Sequence, residues 1–277
     1  MRAFNGPLTV VWFAVWLVLA AAPSGAAPLD DLAIGGSARV VEVVDGDTVI
    51  LDPAIDGARQ VRLVGLQAPK LPLGRKGFRQ WPLAPDAKFA LEELTLNKTV
   101  TLRCGGARMD RHGRHLAHLF LDDGTWVQGR LLERGMARVY TFPDNRAVTA
   151  EMYTLERQAQ TANRGIWAHP FYAVREATPE ALARLIGTFQ IIQGRIQDAA
   201  KVKANTYLNF GANWRDDFTI TIKSHARRAF LKKNQDPLAL KNKVVRVRGW
   251  LKKRNGPAIT ATHPEQIEIV STGPNAN

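Results

Sequence analysis

VVDGDTVILDPAIDGARQVR, residues 43–62, is the stretch whose reading decides the fold. One β-run ends in Asp45-Gly46-Asp47-Thr48, a second covers 49–51 and a third ends at Arg62. Asp45-Gly46 between apolar runs is a tight-turn signal, because Gly accepts positive φ and Asp bonds its own backbone. Such a turn brings two carboxylates to one end of a small sheet. Side chains alternate along a strand, so Val61 and Leu63 share one face and Arg62 takes the other. Carboxylates and an arginine on one rim suit a metal ion and a phosphate.

Downstream, residues 67–85 (QAPKLPLGRKGFRQWPLAP) form a basic loop with Lys70, Arg75, Lys76 and Arg79 and no acid. Pro85-Asp86 opens a helix to about Leu96, with Phe89, Ala90, Leu94 and Leu96 as its apolar members. Strands are expected over 99–104 and 115–121, separated by the polar turn 108–114. A helix over about 126–134 ends at Gly135, a short strand covers 137–140, and a helix spans 147–163 with Met152, Leu155 and Ala159 as anchors. The order β-β-β-α-β-β-α-β-α describes a mainly β chain with α, a small barrel with helices packed outside.

Residues 38–167 resemble the staphylococcal nuclease (thermonuclease) family. The shared features are Val44-Asp45-Gly46-Asp47-Thr48, Arg62-Leu63 before a Leu-x-x-Pro corner, Asp110-x-x-Gly113-Arg114, Leu132-x-x-Gly135-x-Ala137 and a last helix reaching Gly165-Ile166-Trp167. The resemblance implies a five-stranded OB-type barrel over 38–170. It also implies a site that cuts phosphodiesters with calcium. Two aspartates and a carbonyl hold the ion, two arginines clamp the phosphate, and a glutamate positions or deprotonates water. By position, Asp47 is the first metal aspartate, and Arg62 and Arg114 are the arginines. His112 stands where the family has a phosphate-contacting tyrosine. Tyr140 and Phe142 resemble its pair of nucleotide-pocket tyrosines.

The chain departs from the pattern at one corner. Gln67-Ala68-Pro69-Lys70 stands where the family has Asp-Thr-Pro-Glu, so Gln67 replaces the second metal carboxylate and Lys70 the catalytic glutamate. A unit charge at ~4 Å is worth on the order of 4 kcal/mol at an effective dielectric of 20, so Ca2+ affinity is expected to be weak. A lysine protonated at neutral pH is also a poor base. Two readings follow. In one, hydrolysis is lost or weak, and Arg62, Arg114 and Lys70 still bind phosphate. In the other, the chain is an active endonuclease, with Lys70 replacing the charge of the metal and Asp45 or Asp47 recruited as base.

Residues 183–272 form a second β-rich unit, with runs at 189–196, 205–210, 218–222, 244–251, 258–262 and 266–270 and a helix over 224–233. Three strands, a helix and two strands is the OB order, so a second small OB-like domain is expected. Residues 178–277 carry 17 Lys and Arg against 7 Asp and Glu, whereas 27–177 carry 20 against 18. Arg246, Arg248 and Trp250 alternate onto one strand face, and Tyr207 and Trp214 lie near turns. Basic grooves with aromatic platforms hold single strands without sequence preference.

The whole chain, 277 residues with a formal net charge of +13, is globular in composition and calls for a polyanionic partner. DNA or RNA is the first expectation, and anionic lipid or another envelope polymer the alternative. Residues 1–26 read as a signal peptide: Arg2, an apolar core over 8–22 and Ser24-Gly25-Ala26 before the cut. That core is short for a spanning helix, so the mature chain is expected to be exported, periplasmic or secreted, without stable membrane insertion. The lone Cys104 excludes an intramolecular disulfide and fits a small core residue.

Overall fold

The structure, a computed structural model, describes residues 29–270; the signal-peptide reading of residues 1–26 lies outside them. Strands β1 (Ala33–Asp45), β2 (Thr48–Ile55) and β3 (Ala58–Leu63) form an antiparallel meander. The short β4 (Leu66–Gln67), helix α1 (Ala84–Thr95), and strands β5 (Thr99–Cys104) and β6 (His115–Leu121) follow, then α2 (Val127–Glu133), β7 (Arg138–Val139) and α3 (Thr149–Thr161). The closed barrel has the order β1-β2-β3-β6-β5, with β3 and β6 parallel. Inward residues alternate along the strands: Val49 and Leu51, Val61 and Leu63, and Val100 and Leu102 are fully buried.

The two tight turns of the meander differ in kind. Asp56 and Gly57 both have positive φ, 48° and 78°, which a two-residue hairpin turn of that hand requires. Gly46 does not adopt positive φ. It is needed for space, because a Cβ there would sit 2.7 Å from Ala68 Cβ and 2.8 Å from Ala87 Cβ. The turn is thereby pressed against both α1 and the corner that follows β4. The expectation that Phe89 belongs to the buried face of α1 is corrected: it is 61% exposed, and Ala87, Ala90, Leu91 and Leu94 make the contact.

After β8 (Arg175–Glu176) and α4 (Pro179–Leu182), a second β unit begins, with its own core around Ile192, Leu208, Phe218, Ile220, Phe230, Val245 and Ile259. It comprises β9 (Phe189–Arg195), β10 (Asp198–Val202), β11 (Asn205–Asn209), β12 (Thr219–Ile222), α5 (Ser224–Lys232), β13 (Val244–Trp250), β14 (Lys252–Arg254), β15 (Gly256–Ala261) and β16 (Ile267–Ile269). Its sheets have the orders β10-β11-β12-β15-β14 and β16-β13-β9-β8. β9 and β10 act as two halves of one first strand: β9 pairs antiparallel with β13, β10 pairs with β11, and β12 lies parallel to β15. This is the connectivity of the first barrel repeated, in which β1 pairs with β2 and β5 and β3 lies parallel to β6. The strand β10 was not expected from the sequence, since Asp198-Ala199-Ala200-Lys201-Val202 lacks a strong apolar alternation.

Candidate active site and the interdomain seam

The turn after β1 and the corner after β4 meet at one end of the first barrel. Asp47 is fully buried there, and its carboxylate is saturated by protein donors. Lys70 Nζ lies 2.7 Å from Oδ1 and 2.6 Å from Oδ2, the Ala68 N–H donates to Oδ2 at 2.9 Å, and Arg62 Nη2 approaches Oδ2 at 3.2 Å. Lys70 Nζ also reaches Asp45 Oδ2 at 3.3 Å, and Asp45 Oδ1 accepts from the Asp47 N–H at 3.1 Å. Two carboxylates and two cations therefore close on one another at the place where the family pattern implies an ion.

Burial alone would raise the Asp47 carboxyl. Arg62, Lys70 and the hydrogen bonds from Lys70 and Ala68 outweigh it, and hold Asp47 well below the usual carboxylate range. Asp45 goes the other way: burial raises it, and the Asp47 charge beside it adds to the rise. Arg62 does more than pair with Asp47. Its Nη1 donates to the carbonyls of Asp47 and Leu63, and its Nη2 to Leu66 O at 2.7 Å. The guanidinium thus ties the end of β3 to β4. The expected phosphate clamp spends both terminal nitrogens on the fold.

Gln67 is not a metal ligand in this arrangement. It is buried in the β4–β7 ladder, and its Oε1 accepts from Arg138 Nε at 3.0 Å and Nη2 at 2.8 Å. Burial lowers the pKa of Arg138 to about 9, so the guanidinium remains charged at neutral pH. The residue facing Arg138 is an amide, so this cation has a dipole where a carboxylate would neutralise it. Among the described residues no group of three His, Cys, Asp or Glu converges to hold a metal. The residues present do not fit calcium. The ion wants several hard, mostly anionic oxygens, whereas the one fully buried carboxylate here is filled by an ammonium.

Arg114 lies on its own turn just before β6. The motif Asp110-x-x-Gly113-Arg114 closes through Asp110 N–H to Arg114 O at 3.0 Å, with Gly113 at φ 72°. Asp110 accepts from Arg114 Nε at 2.7 Å and pairs with Nη2 at 2.7 Å, leaving Nη1 without a partner among the described residues. β6 runs parallel to β3 with Leu116 opposite Arg62, so Arg114, just before β6, lies two positions back from the residue opposite Arg62. His112 is exposed on this turn and accepts from Arg111 Nε at 3.1 Å.

The remaining expected site residues are gathered elsewhere. β13 does present Arg246, Arg248 and Trp250 on one face, but that face docks onto the first barrel. Arg248 is 1% exposed, with Nη2 at 2.9 Å from Glu156 Oε2 and 2.6 Å from Glu268 Oε1, and Nη1 on Val139 O. Arg246 is part-buried and donates to Gln193 and Gln160. The expectation that Arg246 and Arg248 line a nucleic-acid groove is therefore corrected, because both are spent in the interdomain seam. Trp250 is half-exposed, and its Nε1 donates to Tyr140 Oη at 3.2 Å. Tyr140 in turn packs edge-on against Phe142 and Phe189, with centroids 4.8 and 4.9 Å away. The seam also holds Thr141 Oγ1 against His263 Nε2 at 2.7 Å, Arg146 against Glu265, and the Tyr153 hydroxyl donating to Glu265 O. Glu156, Glu268 and Arg138 were not singled out from the sequence. An acid at position 156, between the apolar anchors Leu155 and Ala159, was the available signal.

The family described as "Staphylococcal nuclease homologue" matches residues 60–169. The thermonuclease of Staphylococcus intermedius is 31% identical over 134 residues, covering 48% of this chain and 77% of that one. The thermonuclease of Staphylococcus hyicus is 29% identical over 132 residues, covering 47% and 75%. An uncharacterized endonuclease of Escherichia coli is 29% identical over 130 residues, covering 47% and 76%. With its OB-type barrel and the Asp47–Arg62–Arg114 framework, the protein belongs to the staphylococcal nuclease family. If it is active, it is a nuclease. The family match ends at residue 169, before the second β unit.

Proposed function

We propose that this protein binds nucleic acid without calcium-dependent cleavage of phosphodiesters. The observation that carries the reading is the Lys70 ammonium 2.6–2.7 Å from both oxygens of Asp47. It satisfies the carboxylate that would otherwise hold an ion, and it puts a protonated amine where the family has a general base. Phosphate contact is left to the free Nη1 of Arg114 and to the basic loop carrying Lys76 and Arg79, both exposed. Export belongs to the same proposal and rests on residues 1–26. N-terminal sequencing of protein recovered from a cell envelope fraction tests it, with Ala27 expected first.

The test is incubation of mature protein with plasmid, single-stranded DNA and RNA in calcium, in magnesium and in chelator. An Arg114→Ala variant controls for contaminating nuclease. The expected result is retention of the nucleic acid in gel shift without cutting, weakening steeply between low and physiological salt. Metal-dependent cutting by the natural protein that Arg114→Ala abolishes would establish the second reading, an active endonuclease, which the names of the relatives favour. Binding to anionic vesicles with none to DNA or RNA would point to the lipid alternative.

A further inference from the structure

We propose that the face of the second barrel away from the seam holds single-stranded nucleic acid, with bases stacked on Tyr207 and Trp214; this rests on the nucleic-acid reading above. The seam uses the β16-β13-β9-β8 sheet. The other sheet, β10-β11-β12-β15-β14, carries a cavity of about 450 Å³ on its outer side, within the range of built ligand sites.

Alternation builds it. Leu208, Ile220 and Ile222 point into the core, and Tyr207, Asn209, Thr219 and Thr221 point into the cavity. In register, Tyr207 sits between Ala200 on β10 and Thr221 on β12. Both neighbours are small, and Tyr207 is part-exposed between them. Trp214, 54% exposed, stands at the rim.

The charge around the cavity selects the ligand. The Arg254 guanidinium lies 5.8 Å from the Tyr207 ring and the Arg215 guanidinium 4.7 Å from the Trp214 ring. Lys252, exposed, shares the face of Arg254 on β14, and none of these three cations has an ion pair among the described residues. The acids at the site are already engaged. Asp198 pairs with Lys241 at 2.9 Å, Asp217 accepts from the Gly211 N–H at 2.8 Å and from Thr219, and the exposed Asp216 accepts from Asn213 Nδ2 at 2.9 Å. Two aromatic rings at one cavity, each with an arginine that has no carboxylate partner, fit bases on a phosphate backbone, whereas a neutral sugar would leave the cations unanswered. A duplex keeps its bases paired and cannot offer their faces to the rings.

The test is fluorescence anisotropy of a labelled dT oligonucleotide of about 12 residues, a length matched to one such fold. It uses the full mature chain in chelator, so that no cutting intervenes. Trp214→Ala and Tyr207→Ala are each expected to weaken binding roughly 5- to 100-fold, and Trp214→Phe to restore most of it. A duplex of the same length is expected to bind more weakly and to ignore both changes. Unaltered dT binding by the Tyr207→Ala/Trp214→Ala variant, with melting preserved, overturns this inference and leaves nucleic-acid binding standing. Failure of the natural protein to bind any nucleic acid overturns both. Selective binding of a neutral oligosaccharide in place of dT overturns the ligand class.

Discussion

The Lys70→Glu substitution reverses the charge at the centre of the candidate site. In the natural protein Lys70 Nζ touches both oxygens of Asp47 and also Asp45, with only 19% of its side chain exposed. Replacing it with a carboxylate changes the local charge by two units and places three acids around one point. Without metal, the buried Asp47 keeps Arg62 and the Ala68 N–H but loses its closest cation. Removing one partner of a buried pair costs about 3–5 kcal/mol, and the remaining donors keep the loss toward the lower end of that range. With calcium, the three carboxylates and nearby carbonyls form an oxygen cage. For an ion bound at Kd of about 1 mM, 10 mM calcium returns about 1.4 kcal/mol. The assay is thermal melting of both proteins in chelator and in calcium. The variant is expected to melt well below the natural protein in chelator and to recover part of the difference in calcium. The natural protein is expected to melt at the same temperature in both. A calcium-dependent rise in the natural protein as large as that of the variant would refute the argument that the ammonium fills the ion's place.

Two further outcomes follow from the seam and from the buried imidazoles. Arg248→Met leaves the buried Glu156 carboxylate with the Val139 N–H as its one remaining partner among the described residues, and should cost about 3–5 kcal/mol in urea unfolding. Adding Glu156→Gln should recover part of that loss, a coupling that a double-mutant cycle reads directly. Burial holds His118 near pKa 3 and His263 near 4, the latter lowered further by Arg146. Folded pKa values below the free value of 6.5 mean that the folded state resists protonation. Their contribution is therefore complete above about pH 6.5 and is lost as pH falls below it. From pH 7 to pH 5 each histidine should remove about 2 kcal/mol of stability, and His118→Leu should roughly halve the combined slope in urea titrations at the two pH values.

The sequence alone determined the first barrel, and for local reasons. Alternation in 43–62 fixed which side chains point inward, Asp45-Gly46 marked the first turn, and the run Asp110 to Arg114 encoded its own closed turn. The resemblance to the staphylococcal nuclease family placed Asp47, Arg62 and Lys70 in one site, and against that pattern the Gln67–Lys70 corner lacks two acids. Sequence reasoning also showed Arg246, Arg248 and Trp250 sharing a strand face, but a strand pattern says only that a face exists, not what lies opposite it. Tertiary docking decided that. Arg248 meets Glu156, ninety-two positions earlier in the chain, and a buried ion pair between two domains leaves no periodic signature in either segment. The same holds for Gln67, whose amide turns to Arg138 across a two-residue ladder, and for Arg62, whose donors go to main-chain carbonyls that composition cannot assign. Charge and strand pattern are local properties of the chain. Which cations remain free for a polyanion depends on which ones the fold neutralises, and only the packing of the two barrels fixes that.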